Sequence, residues 1–226
     1  MASFSGNFDG DGFAIKNVTV NRTVVQTGFF NYLTATAVIQ NLTVETSAAG
    51  ITGAARVGGI AGEMAAGAKI TNCKVRGKIT GTGDAVGGIA GYARTSITEC
   101  VSNALVTGNG STGQVGGISG YVTGGTVSKC VALGTAVGYA RIGGITGEAT
   151  TNVIVENCAS YSFLNKSTPG GYPNLGGIVG HAYNNITIRN CLAAGLEKGG
   201  GGSAALTMTG GILGGGGTRI AIDKHH

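Results

Sequence analysis

Hydrophobic and polar residues alternate along this chain in short segments that recur at a nearly constant spacing. One six-residue segment, VGGIAG, begins at Val57. Related segments begin at Val86, Val115, Ile142, Leu175 and Thr209. The steps from one start to the next are 29, 29, 27, 33 and 34 residues. A period of this length is typical of repeat proteins, in which each unit is stable only when packed on its neighbours.

Each repeat predicts three short strands and no helix. The GGIxG segment is followed by an alternating segment, such as residues 69–75, and then by a third, such as residues 77–81. Alternation of this kind indicates a strand with one buried face, and the Gly, Asn and Thr between segments indicate corners. A helix would lose about 1 kcal/mol at each interior glycine. We therefore predict an all-β fold, a right-handed single-stranded parallel β-helix (β-solenoid) of about seven three-strand coils.

The repeats predict a single β-solenoid domain over residues 1–224. The coils are expected at approximately 4–25, 26–56, 57–85, 86–114, 115–141, 142–174 and 175–208, with a partial coil at 209–222. Residues 163–174 hold both prolines, and we expect an insertion there that projects from its coil. Residues 225–226, two histidines, are interpreted as the remnant of a purification tag.

The second strand of the repeats places all five cysteines in one column. These are Cys73, Cys100, Cys130, Cys158 and Cys191, and the divergent first coils carry Val18 and Leu42 there. Apolar replacements indicate an inward position, where successive coils stack about 4.8 Å apart. Disulfides between coils and a metal site are the alternatives. Parallel Cβ atoms at that spacing lie outside the preferred disulfide range, and one column cannot surround an ion. The pattern favours a core ladder of buried free thiols.

The residue before the cysteine is often asparagine, which tolerates left-handed backbone. It is found as Asn17, Asn41, Asn72, Asn157 and Asn190. We expect a corner ladder in which these amides bond to their neighbours above and below. Asp9-Gly10 and Asp11-Gly12 near the amino terminus are turn dipeptides, and a calcium half-site is the less favoured interpretation of their carboxylates.

The position after GGIxG gives an outward column that is the best candidate for a ligand-binding face. Its members are Glu63, Tyr92, Tyr121, Glu148 and His181. Tyr92 and Tyr121 lie on adjacent coils, so they either stack on a sugar ring or cover a corner. Glu63 and Glu148 are three coils apart, about 14 Å, whereas glycosidase carboxylates are about 5–9.5 Å apart. With no HExxH or GxSxG motif, we predict no catalytic residues, no metal ligands and no cofactor, and hence no enzyme.

Composition and charge narrow the possible partners. Glycine is abundant, 45 residues, but 42% of the chain is hydrophobic and the glycines are periodic, which argues against disorder. The net charge of +5 comes from scattered Lys and Arg without an accompanying aromatic cluster, so no nucleic-acid partner is expected. No apolar run approaches the ~18 residues of a membrane span, and the first 13 residues lack the layout of a secretory signal.

The GGIxG segment followed by I-x-N-C resembles the GLUG repeat, with Ile60, Ile89, Ile118, Ile145 and Ile178 in the Leu position. The resemblance implies a bacterial parallel β-helix, secreted or surface-attached, of the kind found in adhesin-like proteins and in accessory regions of immunoglobulin-A-cleaving metallopeptidases. It supplies no catalytic residues.

On this basis we expect a non-catalytic structural or adhesive module, extracellular or at the cell surface, with any signal peptide absent from this sequence. Its expected partner is a host or cell-surface ligand, protein or glycan, and its ends could self-associate because unpaired strand edges template pairing. The alternative is a carbohydrate-binding or polysaccharide-processing β-helix.

Overall fold

The computed structural model describes residues 3–111, 113–167, 174–195, 197–198 and 208–223, and all regular elements in these ranges are β-strands. The first two coils contain β1 (Ser3–Phe4), β2 (Asn7–Asp9), β3 (Ala14–Asn21), β4 (Phe30–Leu33), β5 (Val38–Gln40) and β6 (Thr43–Gly53). The next two contain β7 (Val57–Gly58), β8 (Ala61–Met64), β9 (Lys69–Thr71), β10 (Lys74–Gly81), β11 (Val86–Gly87), β12 (Ala90–Ala93), β13 (Ile97–Thr98) and β14 (Val101–Gly108).

The fifth and sixth coils contain β15 (Gln114–Gly116), β16 (Ser119–Thr123), β17 (Thr126–Ser128), β18 (Val131–Ala132), β19 (Thr135–Gly138), β20 (Arg141–Gly143), β21 (Thr146–Thr150), β22 (Ile154–Glu156), β23 (Ala159–Ser160) and β24 (Phe163–Lys166). The remainder is β25 (Asn174–Gly176), β26 (Val179–Tyr183), β27 (Ile186–Arg189), β28 (Leu192–Ala193), β29 (Glu197–Lys198), β30 (Met208–Gly210), β31 (Leu213–Gly216) and β32 (Ile220–Asp223).

These strands form four parallel sheets along the sides of a solenoid. Sheet A is β1-β4-β8-β12-β16-β21-β26-β31, and sheet B is β2-β5-β9-β13-β17-β22-β27-β32. Sheet C has ten strands: β28-β23-β18-β14-β10-β6-β3, with β19, β24 and β29 paired alongside. Sheet D is β30-β25-β20-β15-β11-β7. Each strand pairs in parallel with the equivalent strand of the next coil, which confirms the all-β, parallel β-solenoid prediction.

The structure divides the repeated VGGIxG segment, which the pattern treats as one strand, between sheets D and A. The chain bends at the second glycine and the isoleucine, so Val57–Gly58 and Ala61–Met64 belong to different sheets. Full coils therefore have four sides. The second glycine is needed at this bend: a Cβ on Gly117 would collide with the carbonyl oxygen of Gly144 in the next coil.

The core is a set of apolar columns that run the length of the solenoid. Ile60, Ile89, Ile118, Ile145 and Ile178 are all fully buried. Their backbones are linked in sequence, the amide of each isoleucine donating to the carbonyl of the next at 2.8–3.0 Å. Because these inward side chains lie on their counterparts in the neighbouring coils, the core is shared between coils, as expected for a repeat array.

The first coil departs from the predicted alignment. Ile15 and Val18 pair with Val44 and Thr46, so Val18 does not lie above Leu42, and Asn17 is not above Asn41. The equivalent of Ile39 is instead Phe8. The alignment is wrong here because the sheet B strand of the first coil is β2, residues 7–9, which lies before the turn and not at residues 15–18. The Asp9 carboxylate closes this turn, accepting hydrogen bonds from the Asp11 amide at 2.9 Å and the Asn41 side chain at 3.0 Å.

The predicted insertion at residues 163–174 is wrong for its first four residues, which form a regular strand. Phe163–Lys166 is the regular strand β24 of sheet C, paired with β19, and Asn174 opens β25. Both prolines lie in 168–173, outside the described residues, as do the two histidines at 225–226.

Candidate functional site

The five residues of the candidate ligand face lie in one column on sheet A. Tyr92 is the register partner of both Glu63 and Tyr121. Tyr121 pairs in turn with Glu148, and Glu148 with His181. Tyr32 precedes Glu63 in the same column, a member that the divergent second coil concealed from the sequence alignment.

The two carboxylates of this column are buried rather than outward-facing. Glu63 is 3% exposed and Glu148 is 5% exposed. Arg56 makes an ion pair with the Glu63 carboxylate, and Gln26 of the preceding coil donates a hydrogen bond to the same oxygen. Arg94 approaches the other oxygen at 3.3 Å. Burial raises the pKa of Glu63, but the hydrogen bonds from Gln26 and Arg56 outweigh it, so the pKa lies below its ordinary value.

Glu148 repeats this arrangement three coils further along. Arg141 Nη1 lies 2.8 Å from its Oε2, and Gln114 of the preceding coil donates to the same oxygen at 2.8 Å. In both clusters the arginine stands seven residues before the glutamate and the glutamine comes from the coil before. Each carboxylate is thus neutralised and hydrogen-bonded within the solenoid, which is the requirement for burying a charge.

Tyr92 and Tyr121 fill the two coils between these clusters. Their ring centroids are 4.8 Å apart with the planes inclined by 54°, so they do not form one flat platform. The guanidinium groups of Arg56 and Arg94 lie 5.0 and 4.6 Å from the Tyr92 centroid, within cation–π range. Burial raises the pKa of Tyr92. The Tyr121 hydroxyl is 2.8 Å from Thr150 Oγ1. Both tyrosines are half-buried and contact their neighbours in the column.

His181 ends the described part of the candidate face. Its ring lies 4.0 Å from that of Tyr183, and its Nδ1 is buried without a hydrogen-bond partner among the described residues. Burial and the positive charge of Arg141 lower the pKa of His181, which favours the neutral ring. The sequence pattern indicated this histidine but not Arg141, whose positive charge adds to the effect of burial on its pKa.

The sequence carried a signal for the missed residues. Arg56 and Arg141 each begin the string R-x-G-G-I-x-G-E, and no other repeat combines these two charges. Gln26 and Gln114 precede the equivalent Val or Thr one coil earlier. Reading charged positions as pairs seven residues apart would have located both clusters.

The five cysteines form a second column, buried at the corner between sheets B and C, and all are free thiols. Each Sγ donates to the carbonyl oxygen two residues earlier, at 3.3 or 3.4 Å. The hydrogen bond with Cys130, together with burial, raises the pKa of Cys158. Cys73, at the end of the column, differs because its hydrogen bond with Cys100 lowers its pKa. All five thiols therefore make the same hydrogen bond to the backbone, as stacked repeats require.

The residues directly before the cysteines form the predicted corner ladder from the second coil onwards. Asn41, Asn72, Asn157 and Asn190, with Glu99 and Lys129 between them, all have positive φ angles of 49–57°. Asn72 donates to Asn41 at 2.8 Å, and Asn190 donates to Asn157 at 3.4 Å. Lys129 and Glu99 replace the amide pair by an ion pair at 3.1 Å. Within the described ranges, no group of three or more His, Cys, Asp or Glu side chains is placed to hold a metal ion.

Comparison with known families agrees with the repeat. Residues 53–80 match the GLUG motif, which covers the third coil from the end of β6 to β10. The resemblance to the GLUG repeat is therefore confirmed, and the chain is a repeat protein that carries this motif.

One curated relative and one solved structure extend the comparison. Halomucin of Haloquadratum walsbyi is 32% identical over 105 residues, or 46% of this chain, and the chain spans only 1% of halomucin's length. The crystal structure of a Bacteroides ovatus protein, provisionally assigned as an immunoglobulin A1 protease, superposes with a TM-score of 0.69. The superposition covers 96% of this chain and 68% of the Bacteroides ovatus chain, and the two are 23% identical. The similarity is therefore one of fold. None of the described elements is a helix able to span a bilayer.

Proposed function

We propose that this chain, a β-solenoid that carries the GLUG motif, is a non-catalytic structural or adhesive module of a secreted or surface-attached protein. The observation that carries the proposal is the use of polar groups on sheet A. Its carboxylates and one tyrosine hydroxyl bond to side chains of their own or adjacent coils. These polar groups therefore stabilise the packing of the coils and are not free to bind a substrate. A solenoid whose sheet A carboxylates already have partners within the chain is suited to act as a spacer or as a support for other domains.

The relatives support an extracellular setting. A GLUG match and a similarity to part of halomucin, whose name denotes a mucin, both favour a protein outside the cell. The fold that this chain shares with a provisionally assigned protease includes nearly the whole solenoid. In this chain, however, Glu63 and Glu148 are held in ion pairs. We therefore assign the solenoid the role of a support and not of a catalytic unit.

Surface labelling of intact cells tests this proposal. An antibody against the solenoid should stain unpermeabilised source cells, or detect the protein in the medium, and trypsin added to intact cells should remove the cell-bound signal. Staining that appears only after lysis would contradict the proposed location. Incubating the chain with polysaccharides and proteins should release neither reducing ends nor new amino termini; turnover that depends on Glu63 or Glu148 would overturn the non-catalytic assignment.

A second candidate function, carbohydrate binding at the sheet A column, is favoured by the paired half-buried rings of Tyr92 and Tyr121. A glycan array with Tyr92→Ala and Tyr121→Ala variants tests it. Binding that is lost in both variants would establish this column as the ligand face. Binding that both variants retain would contradict this second candidate.

A further inference from the structure

The outward face of sheet C carries an apolar patch, which we define as Leu105, Leu133, Tyr161 and Phe163. Leu105 is 42%, Leu133 45% and Tyr161 49% exposed, which is unusual for large apolar side chains on three neighbouring coils. Leu133 and Tyr161 follow the register partners Ala132 and Ser160, so they lie side by side. Leu105 and Phe163 both pair with Thr135, one position along the same face.

A basic strip borders this patch on the adjacent strand β10. Lys74, Arg76 and Lys78 alternate along β10, so their side chains share the outward face about 6.6 Å apart. All three are exposed, and Lys78 is the register partner of Leu105. Glu45 is the one carboxylate among the described outward side chains of sheet C, and it lies 3.6 Å from Arg76. The face therefore combines an apolar patch with a net positive charge, three cations against one carboxylate.

We infer that this face of sheet C binds an anionic polysaccharide. The C–H faces of pyranose rings pack on apolar and aromatic side chains, and carboxylate or sulfate groups bind Lys and Arg. Here the two kinds of contact lie on adjacent layers, about 4.8 Å apart, within the length of one or two sugars. The inference names the ligand class of the adhesive role proposed above and rests on that role only for its biological setting.

The charge of the face favours this ligand over a second copy of the chain. Two copies packed through sheet C would bury or crowd the same three cations, and Glu45 already has a partner in Arg76. Like charges brought together at an interface oppose association, whereas a polyanion gains from all three. A neutral glycan would use the patch but not the strip.

The critical test compares two variants that lose the same number of positive charges at different places on the surface. The full chain is titrated with polygalacturonate and with dextran sulfate, using unsulfated dextran as the neutral polymer. The test variant carries Lys74→Gln, Arg76→Gln and Lys78→Gln. The control variant carries Lys69→Gln, Arg189→Gln and Arg219→Gln, which are exposed positions on or beside sheet B. Each variant loses three of the charges that give the parent its net +5.

The parent should bind at least one polyanion and ignore dextran. The test variant should bind about tenfold more weakly or worse, and the control within about threefold of the parent. Leu133→Ser with Tyr161→Ser should also weaken binding while leaving its salt dependence unchanged, because no charge is removed.

Three results would overturn the inference. Equal weakening of binding in the test and control variants would indicate attraction by net charge and not by this face. Absence of binding to both polyanions would contradict the proposed ligand class. A dimer in light scattering that Leu133→Ser and Tyr161→Ser dissociate, without polyanion binding, would make the face an interface between copies. None of these results affects the surface-labelling test, so failure here is distinguishable from failure of the proposed location.

Discussion

Arg141 Nη1 lies 2.8 Å from Oε2 of Glu148, seven residues further along the chain. The two residues lie on either side of the Gly144-Ile145 bend, which turns the chain from sheet D to sheet A and brings their side chains together. Arg56 and Glu63 show the same relationship three coils earlier. The glycine bend thus fixes the backbone and also allows an ion pair to cover the corner.

Removing the arginine should cost more than the loss of an exposed ion pair. Glu148 is 5% exposed in the parent chain, and Arg141→Ala removes its ion-pair partner while Gln114 still donates to it. We expect the free energy of unfolding to fall by about 2–4 kcal/mol, measured by urea denaturation at pH 7. Replacing both residues by methionine should recover most of that loss, since no unpaired charge remains.

Lys129 and Glu99 provide the matched control. Their side chains are 62% and 46% exposed at a separation of 3.1 Å. Lys129→Ala should lower stability by less than about 1 kcal/mol. If Arg141→Ala were as mild as Lys129→Ala, the Glu148 cluster would be a surface feature and its structural role would be wrong.

A charge in the isoleucine column should abolish folding. Ile118 is fully buried, with Ile89 and Ile145 as neighbours in its column. Ile118→Asp places an unpaired carboxylate in the middle of the array, which costs more than about 4 kcal/mol. Thermal circular dichroism should show no cooperative transition, whereas Asn103→Asp, on the exposed face of β14, should melt like the parent. An unchanged melt for Ile118→Asp would contradict the packing of this column.

Stability should depend on the ionisation of Glu63 at acidic pH. Its pKa in the folded chain lies below the ordinary value of 4.5, so the ionised form stabilises the fold at pH above that value. The contribution is lost as pH falls through the folded pKa. Glu63→Gln should therefore be less stable than the parent at pH 7, with the gap narrowing towards pH 3. Urea midpoints over this range measure it.

The exposed Glu99 gives the comparison for this experiment. Glu99→Gln should shift the urea midpoint little at any pH, because its ion pair with Lys129 is solvated. A gap between Glu63→Gln and the parent that stays constant from pH 7 to pH 3 would show that the charge of Glu63 is not what stabilises the cluster.

The sequence predicted the solenoid because its core repeats residue by residue. Aligning the repeats by their period is enough to predict that Ile60, its counterparts and the cysteine column are buried. The first coil was misaligned because Phe8 substitutes for an aliphatic residue after a turn of different length, a change that the period cannot reveal. The sheet A column was found, but its exposure was misjudged, because Gln26 and Gln114 cover it from the preceding coil. These long polar side chains occur in only two of the repeats, so their signal is a pairing of charged residues and not a period.

The thiols should be unreactive until the solenoid unfolds. All five are buried, and the hydrogen bond with Cys158, together with burial, raises the pKa of Cys191. A disulfide-exchange reagent at pH 8 should release no more than a small fraction of the colour from the native chain, and five equivalents in denaturant. Rapid native reaction of two or more cysteines would place them at the surface and contradict the buried column.

The most direct test of the stacked-repeat account is the position of the five sulfur atoms of the cysteines. Anomalous scattering at long wavelength from crystals of the chain locates them without reference to any model. The account predicts five cysteine peaks in a single row, with neighbours separated by the coil spacing of about 4.8 Å. Peaks scattered through the molecule, or joined in pairs about 2.05 Å apart as disulfides, would contradict it.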